Sequence, residues 1–490
     1  MLRFMTAGES HGKGLVTIID NFPSGVKIDE NFINEKLALR QSGYGRGARQ
    51  KIEKDEIEFI SGVRGGFTTG SPISFFIKNK DYENWKDRMD AYKPVQEDIK
   101  IHIPRPGHAD FAGSIKYNLD DIRNVLERSS ARETASRVAV GAICELLLEE
   151  FNIQFSSAVL SIGGIGAAPD KDNINKDNIN SINNINKDNI NSINNINKDN
   201  INGINNINKD NINGINNINK DNINGINYRG GIDENVAGNS KIKRELIIDR
   251  DNAAALPVDL FDDEILLHIQ NSDLRMPFPE NEQKVKKLID ELKKEGDTVG
   301  GIIMVQIKNV PIGLGSFTQW DEKLDAHIAF SIMSIQAMKS VEIGAGTKAG
   351  FSRGSDFQDS IYCSSHTALN IKNCSDEERA RKKYYRKTDN AGGIEGGMSN
   401  GEIISVKCAM KPIPTLMKPY LNTVNLTTCE QEKAFLERSD VCAVPAASVV
   451  CESALAFTIC LFFLKKFGGD SLAEIKHNYK GYIAQVYKEK

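Results

Sequence analysis

Residues 127–150 read ERSSARETASRVAVGAICELLLEE, and the rest of the chain is best approached from this stretch. Val138, Ile143, Leu146 and Leu147 recur on one side at helical spacing, which predicts a long helix over Ala131–Glu150. Ser130 followed three residues later by Glu133 has the form of a capping box, in which serine and glutamate satisfy the free amides of the first turn. A helix start gathers unpaired N–H groups and the positive end of the helix dipole, so it suits an anion. Taken alone, a capping box marks only a helix start. The flanking Arg128 and Arg132 are what point to phosphate or carboxylate.

Moving outward, Leu15–Asp20 (LVTIID) is expected as a strand that ends in the turn Phe22-Pro23-Ser24-Gly25, with a helix over Asp29–Arg40. Gly301–Lys308 is expected as a strand, and Asp321–Ser340 as a helix with Leu324, Ile328, Ile332 and Ile335 on its apolar face. Ser448–Leu464 (SVVCESALAFTICLFFL) is mostly apolar but short for a membrane span of about 20 residues. It carries Glu452, and its flanks Arg438, Asp440, Lys465 and Lys466 suit a buried helix with a basic end. The pattern is mixed α and β, of the α/β (α+β) class.

The chain has 490 residues, 40% of them apolar, which is enough for a substantial core. Its 62 basic and 66 acidic residues leave a formal charge of −4, so no overall field favours nucleic acid or an anionic membrane. The N-terminus, MLRFMTAGESHG, has no apolar secretory region, and a cytoplasmic enzyme is expected. The eight cysteines form no C-x-x-C pair and are expected as reduced, buried thiols. Between Asp170 and Asn227 an 11-residue unit, KDNINSINNIN or KDNINGINNIN, repeats. Its isoleucines step by three and then five residues, matching neither a strand nor a helix face. The expectation is a disordered low-complexity insert over 170–240, with 1–169 and 241–490 forming one catalytic domain.

Glycine-dense segments rich in Arg and His carry the candidate chemistry. Gly8-Glu9-Ser10-His11-Gly12-Lys13-Gly14 lacks the spacing and the Ser or Thr of a nucleotide P-loop. A histidine between glycines either sits in a plain tight turn or serves as an acid or base beside a closely approaching ligand. Arg40, Arg46 and Arg49 in RQSGYGRGAR suit a phosphate or carboxylate clamp; an exposed basic loop is the alternative. Arg105-Pro106-Gly107-His108-Ala109-Asp110 offers a second histidine. Asn390–Ser399 is an open glycine loop, and Lys411-Pro412-Ile413-Pro414-Thr415 is a stiff extended segment with a cation and a hydroxyl. Asp440 in Arg438-Ser439-Asp440 either pairs with Arg438, caps the apolar helix, or takes part in chemistry. No metal-ligand spacing is present.

Together GESHGKGLVTIIDNFPSGV, RQSGYGRGAR, RPGHADFAGSIKY, ERSSARETASRVAVGA, GGIEGGMSNGE and RSDVCAVPAASVV resemble, in order, the motifs of the chorismate synthase family. The resemblance covers nearly the whole chain apart from the repeat and its edges. It implies a β-α-β sandwich core, a homotetramer, and 1,4-elimination of phosphate from 5-enolpyruvylshikimate 3-phosphate with reduced FMN. It also implies residue roles. His11 would assist phosphate departure, His108 would set the protonation of the reduced flavin, and Asp440 would relay the proton taken from substrate. Ser10, Arg40, Arg46, Arg105 and Arg132 would bind substrate. Arg128, Ser129, Ser130, Gln336, Ala337, Gly396, Lys411, Pro412, Ile413, Pro414, Thr415 and Arg438 would bind the flavin. No reductase domain is appended, so an external flavin reductase is the expected partner; a net hydride-transferring flavoprotein is the alternative reading.

Overall fold

The computed structural model describes residues 1–47, 53–166, 258–363, 384–434 and 439–486. The expected insert at 170–240, its repeat, Arg49 and Arg438 lie outside them. In the first part of the chain the main elements are β1 (Arg3–Ala7), β2 (Gly14–Asp20), α1 (Glu30–Gln41), β3 (Ile57–Ser61), β4 (Ile73–Lys78), α2 (Asp110–Tyr117), α3 (Arg123–Ser129) and α4 (Thr134–Glu149). They are followed by β5 (Gln154–Ile162), β6 (Ile165–Gly166), α5 (Asp263–Asn271), α6 (Glu282–Glu295), β7 (Gly301–Lys308), α7 (Leu324–Met333), β8 (Met338–Ile343), β9 (Ile404–Met410), α8 (Val444–Phe467) and α9 (Leu472–Val486).

Two antiparallel sheets result, in the orders β1-β2-β4-β3 and β8-β9-β7-β5-β6. In the first, Leu15, Thr17 and Ile19 on β2 and Ile73, Phe75 and Ile77 on β4 are buried, while Val16 and Ile18 are exposed. That is the period of two expected where one face meets a core and the other meets solvent. The second sheet is covered on both faces. Val159, Ile303, Val305 and Ile307 join the main core, whereas Ala158, Leu160 and Met304 pack under Val258, Leu260 and Ile269.

Helices fill the layer between the sheets: α4 packs on β2, and α8 packs on α4, α1, β5 and β7. The sandwich is therefore sheet, helices, sheet. α8 is apolar nearly all round, begins with Pro445 in its first turn and ends at Gly468 after Lys465 and Lys466. It is long and apolar enough to cross a membrane, yet 83% of its apolar window is buried inside the protein. Where α4 crosses it, a Cβ added to Gly141 would stand 2.4 Å from both the Cβ and the carbonyl oxygen of Ser453, so the two backbones meet directly. Beside that crossing, Lys36 of α1 lies 2.7 Å from Glu145 of α4 and 2.5 Å from Glu452 of α8, one cation shared by two buried carboxylates.

Four expectations are corrected. The helix drawn from Ala131 begins as α4 at Thr134, after a 3-10 turn over Ala131–Glu133. Ser130 Oγ does accept the Arg132 amide at 3.3 Å, but the Glu133 carboxylate turns away to Thr6 Oγ1 (3.0 Å) and Arg137 Nε (2.9 Å), so the capping box is half-formed. A charged donor one turn along wins over a main-chain amide. The helix expected over Asp321–Ser340 stops at Met333, because Ala337 takes a left-handed φ of 68° and Met338–Ile343 pairs with β9 instead. Among the described cysteines, Cys363 and Cys429 are exposed rather than buried.

Candidate active site

The turn between β1 and β2 is pinched: a Cβ on Gly8, whose φ is 113°, would meet the Gly14 carbonyl at 2.3 Å. Asn79, just past β4, holds the turn by donating from Nδ2 to the carbonyls of Glu9 (3.0 Å), Ser10 (3.2 Å) and Gly12 (2.8 Å). His11 is thereby fixed beside α3. Its amide donates to Glu127 Oε2 at 2.7 Å and its Nδ1 lies 2.8 Å from Glu127 Oε1. The His11 ring stacks on Trp85, centroids 4.1 Å apart.

Arg40 closes the last turn of α1 and Arg132 sits in the 3-10 turn ahead of α4. Both are buried, and Asp55 bridges them, 3.3 Å from Arg40 Nη1 and 2.5 Å from Arg132 Nη1. Arg40 also donates to Thr134 Oγ1 and the Ala131 carbonyl, and Arg132 Nε donates to Asn79 Oδ1 at 2.7 Å. Burial lowers the Arg40 guanidinium to about 10, with Arg132 and Arg46 pushing the same way against Asp55. Ser130 Oγ donates to Ser10 Oγ at 3.1 Å, tying the helix start to the histidine turn.

Across the cavity, Asp440 receives Arg46 Nη1 at 2.7 Å on one oxygen and the Gly47 amide at 2.6 Å on the other. His108 lies ahead of α2 with Nδ1 2.5 Å from Asp110 Oδ1. Arg105 grips the same carboxylate through Nε at 2.8 Å and reaches Thr415 Oγ1 with Nη1 at 2.9 Å. Burial pushes the Asp110 carboxyl up, but His108 and Arg105 outweigh it and hold the group well below the usual carboxylate range. The Lys411 ammonium donates to the Gly107 carbonyl, and the Thr298 hydroxyl donates to the Ile413 carbonyl at 2.7 Å, so segment 411–415 is anchored along one wall.

These segments enclose one cavity of about 1470 Å³. His11, His108 and Asp440 all line it, as do Ser10, Arg40, Arg46, Arg105 and Arg132. Of the expected flavin residues, Ser129, Ser130, Gln336, Ala337, Lys411, Ile413, Pro414 and Thr415 line it too. Arg128, Pro412 and Gly396 do not. Arg128 is exposed and donates backward to the Thr6 and Gly8 carbonyls. Gly396 lies in the tight turn between Ile394–Glu395 and Met398–Ser399, where an added Cβ would meet no described atom within 4 Å. Sequence reasoning missed Trp85, Asn79, Glu127, Asp55 and Asp110. Only Glu127 and Asp110 stand inside quoted motifs, where a carboxylate two to four residues from a histidine or arginine was the available signal.

The lining carries four arginines and two lysines, and it leaves the buried Arg46 Nε and Gln336 Oε1 without a partner among the described residues. Unpaired donors and acceptors of this kind are costly unless a ligand meets them. The volume exceeds the roughly 300–1,000 Å³ of a single-ligand pocket, so two ligands fit side by side. Such a set of residues suits a phosphorylated planar cofactor next to a small polyanionic substrate.

Comparison with known proteins agrees with this geometry. Residues 2–464 match the family described as Chorismate synthase. The chain is 43% identical over 484 residues to the chorismate synthase of Alkaliphilus metalliredigens, covering 99% of this chain and 100% of that one. It is 41% identical to that of Geobacter metallireducens over 99% and 98% of the two chains. A crystal structure of chorismate synthase superposes with a TM-score of 0.62 at 33% identity, over 99% of this chain and 98% of that chain.

Proposed function

Because the chain belongs to the chorismate synthase family, the lyases that make chorismate in the shikimate pathway, we propose how its own residues carry out that elimination. The substrate is a small molecule, 5-enolpyruvylshikimate 3-phosphate, and the cofactor is FMN in its reduced form. The observation that supports this most is the convergence of His11, His108 and Asp440, from three distant segments, on one arginine-lined cavity.

Arg40, Arg46, Arg105 and Arg132 bind the phosphate and carboxylates of the substrate, since planar guanidinium groups match both. His11 donates a proton to the departing phosphate. His108, oriented through Nδ1 by Asp110, sets the protonation of the flavin ring. Asp440 accepts the proton derived from the substrate. Ser129, Ser130, Gln336, Ala337 and segment 411–415 hold the flavin, with Arg438 as a further contact. Reduced flavin, when bound, supplies the electron density that lets phosphate leave although the departing hydrogen is not acidic. The described residues act as one catalytic domain. The chain works as a cytoplasmic homotetramer supplied with reduced flavin by a separate reductase.

The test mixes purified protein, the enolpyruvyl substrate and chemically reduced FMN without oxygen. Release of chorismate and phosphate in equal amounts is expected. Absence of both overturns the reading, and steady consumption of a nicotinamide cofactor without chorismate favours the hydride-transfer alternative.

A further inference from the structure

Glu127 lies in α3 and is almost wholly buried, where a lone carboxylate is costly. Its two oxygens are divided between two N–H groups of one residue: Oε2 takes the His11 amide at 2.7 Å, and Oε1 faces His11 Nδ1 at 2.8 Å. Arg123 approaches Oε1 at 3.5 Å, and the Glu127 carbonyl accepts the Ser10 amide at 3.0 Å. Burial pushes the Glu127 carboxyl up, but the hydrogen bonds and charge of His11, helped by Arg123, hold it below its ordinary value. An ionised carboxylate can only accept, so Nδ1 of His11 must carry the hydrogen and the Nε2 edge is the one turned away from Glu127.

Trp85 supports the plane of the ring, 4.1 Å away and inclined by 30°, but stacking is indifferent to which nitrogen is protonated. Moreover, Arg88 and Arg123 lie over the same indole at 5.5 and 5.1 Å, cations that oppose a charged imidazole nearby. Glu127 meets the ring directly, with a carboxylate oxygen 2.8 Å from Nδ1.

We propose that Glu127 is a positioning residue for turnover: it fixes His11 as the Nδ1–H tautomer, presents Nε2 to the substrate phosphate and stabilises the imidazolium that donates there. This rests on the reading of His11 as the acid. In the step itself the Nε2 proton passes to the departing phosphate oxygen as the C–O bond breaks, and the ring is left neutral with Nδ1–H still on Glu127.

The substitution E127Q tests the tautomer directly. A glutamine offers one acceptor and one donor. With its oxygen on the His11 amide, its NH₂ faces Nδ1 and requires a bare nitrogen there, so the ring changes to Nε2–H. Nitrogen-15 NMR of histidine-labelled protein is expected to show the Nδ1–H form in the wild type and Nε2–H in E127Q. Anaerobic single turnovers with reduced FMN are expected to slow by about 10²-fold with KM little changed. The alkaline limb of the rate profile moves to lower pH, because a neutral amide no longer supports the charged ring. E127D, which keeps the charge, retains the Nδ1–H form and the wild-type pH profile at reduced rate, and it decides the matter if E127Q does not fold. An E127Q protein with wild-type rate and limb, or either variant with the opposite tautomer to that expected, overturns the proposal. If the wild type makes no chorismate, the functional reading fails, while the NMR result still decides the role of Glu127 in fixing the ring.

Discussion

Replacing Lys36 with methionine removes the cation that Glu145 and Glu452 share at 2.7 and 2.5 Å, in the layer where α1, α4 and α8 meet. Burial works against the Lys36 charge, yet the two carboxylates hold the ammonium well above an ordinary lysine. Burial drives the Glu145 carboxyl up to about 7 despite Lys36, with Glu452 adding to the rise. Glu452 is also penalised by burial, but Lys36 and Arg275 outweigh this and hold it low. A carboxyl raised in the folded state supports folding fully below its unfolded value, and that support is lost as pH rises through the folded value. For Glu145 the window therefore runs from about 4.5 to about 7, worth up to roughly 3 kcal/mol. In K36M an ionised carboxylate is left buried without its cation, a defect of about 3–5 kcal/mol at pH 8. Both carboxyls then rise, so the loss shrinks at pH 5.5, where one or both take protons. E145Q gives the contrast: it removes the group that resists ionising and whose Oε1 has no partner among the described residues, so stability at pH 8 equals or exceeds the wild type. Urea unfolding followed by circular dichroism at both pH values reads these differences. A K36M protein within about 1 kcal/mol of wild type at pH 8, or one hurt more at pH 5.5 than at pH 8, refutes the reasoning.

D440N keeps an acceptor for the Gly47 amide but loses the charge facing Arg46 at 2.7 Å; anaerobic phosphate release is expected to fall by about 10²-fold, and an unchanged rate removes Asp440 from proton transfer. G141A forces a methyl group to within 2.4 Å of Ser453, so urea unfolding is expected to show a loss of about 1–3 kcal/mol, and a wild-type midpoint contradicts the backbone contact. Deleting 170–227 removes none of the cavity-lining residues and is expected to leave kcat and KM unchanged; loss of activity in well-folded protein shows that the repeat contributes.

Legibility in the sequence followed the range of the signal. β2 announced itself because alternation is local: Leu15, Thr17 and Ile19 face inward whatever the rest of the chain does. α8 announced itself because a continuous apolar run between polar flanks has few other solutions. The segment after Met333 misled because Ile335 and Met338 continue an apolar pattern, and nothing local reveals that Ala337 turns left-handed so that β8 can reach β9. Glu133 was drawn back to its own helix start, since the competing Thr6 lies 127 residues away. The same limit hid Asn79, whose side chain organises the histidine turn from across some 70 residues of chain. Trp85 gave no motif at all and is identified by its place against His11.

The arginines of the cavity show why so charged a site can fold before any anion arrives. Each holds a carboxylate of the protein: Asp55 serves Arg40 and Arg132, Asp440 serves Arg46, and Asp110 serves Arg105. Without those partners, buried guanidinium groups crowded together would repel one another, an effect that adds to burial in lowering Arg40. Pairing also fixes the plane of each guanidinium, because a fork gripped on one side by a carboxylate or carbonyl can present its remaining donors in only one direction. A phosphorylated ligand therefore meets donors that are already aimed, and little reorganisation is needed when charge develops on the departing phosphate. His11 and His108 obey the same rule, each held through Nδ1 by a buried carboxylate. The site is thus built outward from its acids, and the bases that face the ligand take their direction from them.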